Sequence, residues 1–441
     1  MIYHVCSKEE YVFLHENKPK WLILNKTARE IALSLLNDKS IENIAKTLIK
    51  KYGISNEVAE KDIAYVLNEL IQKDFISKDN SPLFQRIPAL ESVYFHLTNR
   101  CNLLCPQCYI AFGKDQIIDL NIDHVIKLID ELVEIGGKKI TLSGGEPLLY
   151  PFIKNVIDYS SKHLEITMLT NGTLLDKEWA EYLSDKPLHI QISIDGSNSN
   201  IHDNIRGKGT FDKIVKSVGY LQNAGLSKHI NFCTTIIKQN MDDLANIIKL
   251  AEKLEIPLTR FLPLRKIGRA NEKWDEISGM NTEEYETLFN YMIEKQKYSK
   301  VKITYGSSGF LLHIPDDSLK DYIWCPVGKM ITIDIHGNAY PCVLMMRDEF
   351  KLGNIFKDNL FQIINSDKML NTCYALSNRR NKILKCAKCY WRNFCQSGCM
   401  SHALDYKGTV WDTDPFCNFR KNAYKNAFET ISKIEDEKRS Q

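Results

Sequence analysis

Hydrophobic positions along the chain fall into three successive patterns, and the longest one alternates strands with helices. Between residues 88 and 300, six short apolar runs predict strands, at 92–97, 139–142, 164–169, 188–194, 229–236 and 257–262. Amphipathic segments separate them, and in the clearest, 121–135, the apolar residues share one helix face. This alternation predicts a parallel sheet covered by helices. Six such units are too few to close an eight-stranded barrel.

The first 80 residues follow a different pattern. Two short strands and three helices are predicted, at 10–15, 21–24, 27–37, 40–51 and 56–73. Ser40 stands where an N-cap is expected, just before the second of these helices. We therefore expect a small separate module ahead of the alternating region.

Composition narrows the class of protein. A chain of 441 residues exceeds the size of a single core, so two or three domains are expected. The net charge of +3 is spread without a dense basic block, which gives no argument for nucleic acid. No apolar run approaches the ~20 residues that span a bilayer, and the start MIYHVCSKEE lacks a signal-peptide core. We expect a cytoplasmic protein whose thirteen cysteines are mainly metal ligands.

Three cysteines follow the first strand of the alternating region. Cys101, Cys105 and Cys108 stand in the string CNLLCPQC, directly after SVYFHLT. Three thiolates can hold a 4Fe-4S cluster by three irons and leave the fourth iron open, whereas electron-carrying clusters normally take four cysteines. A zinc site is the alternative, although zinc ligands usually come in two C-x2-C halves or with histidines, and no matching half lies nearby.

Polar residues occur where the predicted strands end, which is where active sites assemble in βα architectures. The second strand ends in SGGEP: Gly144 and Gly145 allow close backbone approach, and Glu146 can accept a hydrogen bond from an ammonium group. Arg206 is a candidate carboxylate clamp. The third and fourth strands end in Thr170, Asn171 and Gly172, and in Ser193, Ile194, Asp195 and Gly196. Strand-end capping or turn formation is the competing explanation for each.

The C-terminal third holds a second set of cysteines. Cys325, Gly337 and Cys342 form C-x11-G-x4-C, and the remaining members are Cys386, Cys389, Cys395, Cys399 and Cys417. Thiolate-rich segments of this kind suit iron-sulfur ligation. A zinc ribbon is the alternative, because C-x2-C-x5-C alone would fit one.

The C-x3-C-x2-C motif, the strand-helix repeat and the GGEP loop together resemble the radical S-adenosylmethionine (SAM) enzymes. The resemblance implies an open (β/α)6 partial barrel, with SAM bound to the open iron and split to give a 5'-deoxyadenosyl radical. That family usually has an aromatic residue or His before the last cysteine; Gln107 stands there, so we expect Tyr109 to stack on adenine instead. The implied SAM contacts are Tyr109, Gly144, Gly145, Glu146, Asn171, Ser193, Asp195 and Arg206.

The seven C-terminal cysteines resemble the SPASM extension of the same superfamily, which binds two auxiliary 4Fe-4S clusters. The resemblance assigns to a distal cluster Cys386, Cys389, Cys395 and Cys417, and to a proximal cluster Cys325, Cys342 and Cys399. No cysteine lies between Cys233 and Cys325, so either Cys373 closes the proximal cluster or one iron stays open. The expected cofactors are three 4Fe-4S clusters and SAM.

The N-terminal pattern WLILNKTAREIALSLLN, SIENIAKTLIKKY and AEKDIAYVLNELIQKDFI resembles the winged-helix-like RiPP recognition element. A RiPP is a ribosomally synthesised, post-translationally modified peptide. The resemblance implies that a leader peptide adds a strand to the exposed sheet edge. DNA binding through Lys46, Lys50 and Lys51 is a rival interpretation, but acidic residues interrupt the basic stripe, namely Glu30, Glu42 and Glu57.

Together the parts predict a recognition module at 1–80, a radical SAM partial barrel at 88–312 and a SPASM domain at 321–441. We expect a radical SAM oxidoreductase that installs an intramolecular cross-link, a cysteine thioether, in a ribosomal precursor peptide. Its partners would be that peptide and an electron donor such as flavodoxin or ferredoxin, with no nucleic acid and no membrane span. Alternatives are C–C cross-linking, cofactor-precursor modification and formylglycine formation on a sulfatase. An alternative of another class is a non-catalytic iron-sulfur carrier or DNA-binding sensor, which would not need the GGEP loop.

Overall fold

The computed structural model describes most of the chain, namely residues 2–5, 10–15, 18, 20–37, 39–76, 88–112, 116–279, 282–306 and 325–440. The domain ends expected at residues 80, 312 and 321 lie outside this part. Among the described helices, none combines the length and the apolar character needed to cross a bilayer.

The N-terminal part is a three-stranded antiparallel sheet followed by three helices. The strands are β1 (Ile2–Val5), β2 (Glu10–Leu14) and β3 (Trp21–Leu24), in that spatial order. The helices are α1 (Lys26–Leu36), α2 (Ile41–Tyr52) and α3 (Asn56–Gln72). Each helix begins after a polar side chain that accepts a main-chain N–H: Asn25, Ser40 and Ser55. The sequence pattern did not predict β1.

The middle part alternates strands and helices as predicted. The strands are β4 (Ser92–His96), β5 (Lys139–Ser143), β6 (Glu165–Thr170), β7 (Leu188–Ser193), β8 (Ile230–Ile236), β9 (Leu258–Pro263) and β10 (Lys302–Tyr305). The helices are α4 (Ile122–Glu134), α5 (Ile153–Ser160), α6 (Lys177–Leu183), α7 (Ser199–Arg206), α8 (Thr210–Asn223), α9 (Leu244–Lys253), α10 (Arg269–Glu272), α11 (Trp274–Ile277) and α12 (Thr282–Gln296). Helix α4 shows the packing rule: Val125, Ile129 and Leu132 recur on one face and are fully buried.

The C-terminal part adds three short strands and then helices. The strands are β11 (Met330–Ile333), β12 (Asn338–Tyr340) and β13 (Gly353–Asn354). The helices are α13 (Leu360–Ile364), α14 (Asp367–Lys382), α15 (Leu384–Ala387), α16 (Arg392–Cys395), α17 (Met400–Lys407) and α18 (Cys417–Ser440). Gly337 makes the turn between β11 and β12 with φ +75°, and a Cβ there would lie 2.9 Å from the Phe356 ring. A side chain at this position of the cysteine motif would therefore be strained and crowded.

One ten-stranded sheet joins the middle and C-terminal parts, in the order β10-β9-β8-β7-β6-β5-β4-β11-β12-β13. All pairs from β10 to β11 are parallel, whereas β12 and β13 pair antiparallel. In the described part of the chain, β10 and β13 stand at the two ends, so the sheet is open. The expected fold class, an α/β partial barrel with two flanking modules, is confirmed. The six predicted strands are β4 to β9, and β10 and β11 extend the parallel sheet on either side.

The two faces of the large sheet differ in polarity. On β4, Val93 and Phe95 are fully buried in the main apolar core that the helices cover. Tyr94 and His96 alternate with them and therefore point to the opposite face, which we call the inner face. The loops at the carboxyl ends of β4, β5, β6 and β7 carry the predicted site residues Cys101, Glu146, Asn171 and Asp195.

Candidate active site and cysteine-rich centre

The loop after β4 carries the cysteines of the first motif. Cys101, Cys105 and Cys108 are all partly buried, and the Cys108 N–H donates to the Cys105 carbonyl at 3.3 Å. Burial, together with the nearby charges of Glu146, Cys105 and Cys108, raises the pKa of Cys101 to about 11. The structure thus brings the three thiols together. A nearby metal centre such as an iron cluster would favour the thiolate form of Cys101.

The predicted GGE loop packs its main chain against the segment leading into the cysteine loop. A Cβ on Gly144 would overlap the Thr98 carbonyl, and one on Gly145 would overlap the Arg100 carbonyl. The Gly145 N–H donates to the Thr98 carbonyl at 2.7 Å, and the Glu146 N–H donates to the Arg100 carbonyl at 2.7 Å. Glycine is needed here because the two loops touch through their backbones.

Glu146 is fully buried and joins the ends of β5 and β6. One carboxylate oxygen accepts the Thr170 hydroxyl at 2.7 Å, and the other accepts the Asn171 N–H at 2.8 Å. Burial raises the pKa of Glu146 to about 7, although these hydrogen bonds lower it. The Asn171 side chain in turn donates to Asn102 Oδ1 at 2.8 Å, inside the cysteine loop. The cysteine loop, the GGE loop and the end of β6 are therefore in direct contact.

Asp195 follows β7 and is also fully buried. Its Oδ2 accepts from Gln107 Nε2 at 2.5 Å and from Arg206 Nε at 2.5 Å, while Oδ1 accepts the Thr235 N–H at 2.9 Å. Arg206 also reaches the cysteine loop, with Nη1 3.8 Å from Cys105 Sγ. Burial acts to lower the pKa of Arg206, but Asp195 and Cys105 outweigh it, so the pKa lies above its ordinary value.

Tyr109 lies on the inner face of the sheet. Its hydroxyl is 3.0 Å from His96 Nε2 and 3.3 Å from the Tyr94 hydroxyl. Burial lowers the pKa of His96 to about 3, so this imidazole is neutral. His96 was not among the predicted site residues, although the alternation in SVYFH places it opposite the core face. Adenine stacking by Tyr109 stays a prediction. So does SAM binding by Ser193, the last residue of β7.

Arg269 is a site residue that the sequence did not reveal. It is buried at the start of α10, and its N–H donates to the Cys108 carbonyl at 2.9 Å. Its guanidinium donates to the Cys105 carbonyl at 2.8 Å and to the Phe112 carbonyl at 2.7 Å. Gly268, with φ +58°, lets this segment approach, because a Cβ there would overlap the Tyr109 carbonyl. The string GRA after the sixth strand was the available signal.

Four C-terminal cysteines line one small cavity, namely Cys386, Cys389, Cys395 and Cys417. Burial, together with the charges of the other three, raises the pKa of Cys386 to about 11. Arg420 lines the same cavity and donates from Nε to Cys395 Sγ at 3.2 Å. The structure therefore brings the expected distal set together.

The expected proximal set, Cys325, Cys342 and Cys399, shows electrostatic coupling within the same C-terminal part of the chain. Burial, together with the charge of Cys399, raises the pKa of Cys342 to about 11. Cys399 and Cys325 both act electrostatically on the buried Arg379. Cys373 is buried within α14, and its part in this site stays a prediction.

The side chains present fit the expected groups. Four thiols around a cavity are the soft donor set that iron-sulfur clusters use. Among the described residues, no three Cys, His, Asp or Glu side chains converge as ligands of a single metal ion do. Beside the first cysteine loop, Gln107 Oε1 is buried without a hydrogen-bond partner in the described part of the chain. A hydroxyl or amino group of SAM would satisfy this acceptor.

The N-terminal module has a groove of about 520 Å³ between β3 and α3. Its floor includes Leu22, Ile31 and Val66, and its rim includes Asp62 and Tyr65. On the helices considered for DNA binding, two of the three lysines are paired with carboxylates, Lys46 with Glu42 and Lys51 with Glu30.

Comparison with known families gives three matches along the chain. Residues 95–251 match the Radical SAM superfamily, and residues 325–390 match SPASM, an iron-sulfur cluster-binding domain. Residues 10–76 match PqqD, coenzyme PQQ synthesis protein D. These matches confirm the expected classes of cofactor, iron-sulfur clusters and SAM. The number of three clusters stays a prediction.

Individual relatives align over most of the chain. Mycofactocin maturase MftC of Mycolicibacterium smegmatis is 29% identical over 329 residues, 73% of this chain and 81% of that protein. Antilisterial bacteriocin subtilosin biosynthesis protein AlbA of Bacillus subtilis is 27% identical over 417 residues, 91% of this chain and 89% of that protein.

A solved structure shows the same fold. Streptococcus suis SuiB bound to S-adenosylmethionine matches with a TM-score of 0.62 and 17% identity, covering 94% of this chain and 100% of that one. The predicted family and enzyme class are confirmed by the domain matches. The chain carries radical SAM, SPASM and PqqD domains, the set that the sequence predicted, and is a SAM-dependent radical enzyme.

Proposed function

We propose that this enzyme installs an intramolecular cross-link, a cysteine thioether, in a ribosomally made precursor peptide. The observation that carries the proposal is the groove between β3 and α3, attached to a SAM-type site and a cysteine-rich domain. AlbA, named for the biosynthesis of the bacteriocin subtilosin, aligns over most of the chain. The groove and this similarity support a peptide substrate, and the choice of a thioether rests on the similarity to AlbA.

The groove suits an extended leader peptide. In the described part of the chain, β3 is the last strand of its sheet. The His15 N–H donates to the Lys20 carbonyl at 2.9 Å, so these two residues form a hydrogen-bonded pair between β2 and β3. In an antiparallel ladder, only every second residue of a strand bonds to the same neighbour. Leu22 and Leu24 therefore direct their main chains to β2, and Ile23 directs its main chain away from β2. A leader lying along β3 would extend the sheet and place alternate side chains against α3.

The chemistry requires removal of hydrogen and of electrons from the peptide. The bound cluster and SAM would supply a 5'-deoxyadenosyl radical that takes one hydrogen atom from a peptide carbon. Joining a cysteine sulfur to that carbon also releases the thiol proton and one further electron. The cysteine-rich domain gives that electron a place to go, and we propose two auxiliary 4Fe-4S clusters there. With the cluster at Cys101, Cys105 and Cys108, the total is about twelve irons per chain.

We also propose where an electron donor such as flavodoxin or ferredoxin docks. A surface pocket beside the cysteine loop is lined by Leu104, Arg206, Lys208 and Lys213 among others, with no carboxylate in its lining. Leu104 is exposed, and both lysines are exposed around it. An apolar centre with a cationic rim suits an acidic electron carrier. Charge reversal at both lysines should weaken reduction by the carrier protein and leave dithionite-driven SAM cleavage unchanged, whereas Lys216→Glu, outside the pocket, is the control.

The test of the main proposal is mass spectrometry of a precursor peptide incubated with the reconstituted enzyme. A thioether predicts the loss of two hydrogen masses per link, together with one cysteine that no longer reacts with an alkylating reagent. Precursors are sought among small cysteine-containing reading frames beside the gene. Loss of two hydrogens with every cysteine still alkylated would replace the thioether by a C–C cross-link.

A second candidate is modification of a peptide towards a redox cofactor. The similarity to mycofactocin maturase MftC favours it. In that case a precursor without cysteine would be modified, and its mass change would persist when all cysteines are replaced by serine.

A further inference from the structure

Two arginines lie buried between the two groups of C-terminal cysteines. Arg379 is 0% exposed and Arg420 is 5% exposed. Arginine is almost never fully buried unless its charge is paired. Neighbouring groups must therefore compensate these two charges.

Arg379, on α14, is held by main-chain oxygens. Its Nη1 donates to the Gly398 carbonyl at 2.7 Å, and Nη2 donates to the Asp412 carbonyl at 2.6 Å and to the Ser397 carbonyl at 3.2 Å. Within the described part of the chain, no carboxylate accepts a hydrogen bond from it, and its Nε has no partner. The guanidinium is thus fixed in place without a directly bonded counterion.

The thiols of both cysteine groups act on this charge. Burial lowers the pKa of Arg379, and the acidic groups that oppose this effect are Cys399, Asp414, Cys325 and Cys386. Cys399 and Cys325 belong to the expected proximal set, and Cys386 belongs to the distal set. Arg379 therefore lies within electrostatic reach of both.

Arg420 connects the two sets through a chain of hydrogen bonds. Its Nε donates to Cys395 Sγ, a distal thiol, at 3.2 Å, and its Nη2 donates to Asp414. Asp414 then accepts the N–H of Cys399, a proximal ligand, at 2.9 Å. Gly398, with φ +77°, makes room, because a Cβ there would overlap both Arg420 and Asp414.

We propose that Arg379 and Arg420 are positioning residues that hold positive charge between the proximal and distal auxiliary clusters and raise their reduction potentials. This inference rests on the proposed function, which places a cluster on each cysteine set. An iron-sulfur cluster ligated by thiolates becomes more negative on reduction, so a fixed cation and a hydrogen bond to a ligand sulfur favour the reduced state. Arg420, bonded to a distal thiol, acts mainly on the distal cluster. Arg379 acts on both.

The experiment measures the auxiliary clusters by themselves. In the full chain, Cys101, Cys105 and Cys108 are all replaced by Ala, so the first site contributes no signal. Redox titration followed by electron paramagnetic resonance then gives the midpoint potentials, and iron analysis gives the cluster content. The variants are Arg379→Gln, Arg379→Lys, Arg420→Gln and Arg420→Lys. Arg380→Gln is the matched control, because Arg380 is buried next to Arg379 and no cysteine thiol is among the charges that act on it.

The expected result is a lower midpoint potential in each Gln variant, with the Lys variants and Arg380→Gln close to the parent protein. If a Gln variant loses cluster iron while its Lys counterpart keeps it, charge is still the required property. The proposal is overturned if Gln and Lys variants behave alike, or if Arg380→Gln shifts the potentials as much. A parent triple variant without auxiliary iron would instead refute the proposed clusters, before any arginine is changed.

Discussion

Replacing Arg206 by Gln should damage the SAM site through the carboxylate that it leaves behind. The Asp195 side chain is fully buried and the Arg206 side chain is 11% exposed, with Nε 2.5 Å from Oδ2. Removing one partner from a buried ion pair costs about 3–5 kcal/mol, because the other charge remains out of water. The stranded Asp195 would also face the carboxylate of SAM that Arg206 is proposed to bind.

Adding Asp195→Asn should partly repair this defect. The double variant lacks the guanidinium, just as Arg206→Gln does, but it has no stranded charge. Contacting residues of this kind show coupling energies of about 0.5–3 kcal/mol. At the upper end this corresponds to roughly a hundredfold recovery of SAM affinity over Arg206→Gln alone. The melting temperature of the double variant should likewise be higher than that of Arg206→Gln.

Calorimetric titration of SAM into the anaerobically reconstituted proteins measures the affinities, and scanning fluorimetry measures the melting temperatures. Lys186→Gln is the control, because Lys186 pairs with Asp158 at 3.2 Å on the surface, where the Asp158 side chain is 52% exposed. Such pairs contribute about 0–1 kcal/mol. If the double variant loses as much affinity as the two single variants added together, the reasoning from a stranded charge is wrong.

Three further predictions concern the other sites. Burial raises the pKa of Glu146 to about 7, above its unfolded value, so the ionised form opposes folding above pH 7. SAM binding that needs this carboxylate should weaken as the pH falls through 7. In Glu146→Gln, SAM titrations at a series of pH values should show weak binding without that pH dependence. Ile23→Pro should weaken binding of the isolated leader peptide and spare peptide-free SAM cleavage, whereas Ile23→Val should bind normally; unchanged affinity in the proline variant would contradict strand addition at β3. Cys373→Ala should keep full iron and turnover if the proximal cluster has an open iron, which could hold a substrate thiolate; loss of one cluster's iron would make Cys373 the fourth ligand.

The sequence predicted the elements well where periodicity carried the information. The runs at 92–97 and 188–194 correspond to β4 and β7, and the polar strand ends meet as parallel topology requires. Pairing between β4 and β11 was not predictable in the same way. Met330 pairs with Ser92 across more than half of the chain, and local apolar patterns contain no information about such distant partners.

The residues that sequence reasoning missed share a physical property. Arg269, Arg379 and Arg420 are buried arginines whose partners include carbonyl oxygens or a cysteine sulfur. A rule that places arginine at the surface fails for them. Main-chain carbonyls have no sequence identity, so nothing in the string of letters marks them as acceptors. The cysteines were found because their spacing is itself the signal.

The contact between the first and last parts of the chain links recognition to chemistry. The ring centroid of Trp21, on β3, lies 5.9 Å from that of Phe394 and 5.4 Å from that of Phe428. In addition, the Asn393 side-chain amide donates to the His15 carbonyl at 2.9 Å. Phe394 immediately precedes Cys395 of the distal set. The strand that we propose to receive the leader is therefore anchored on the cysteine-rich domain. Because one side of β3 is fixed in this way, a bound leader would have a defined position relative to that domain, and the length of peptide that follows it would decide which residues reach the site.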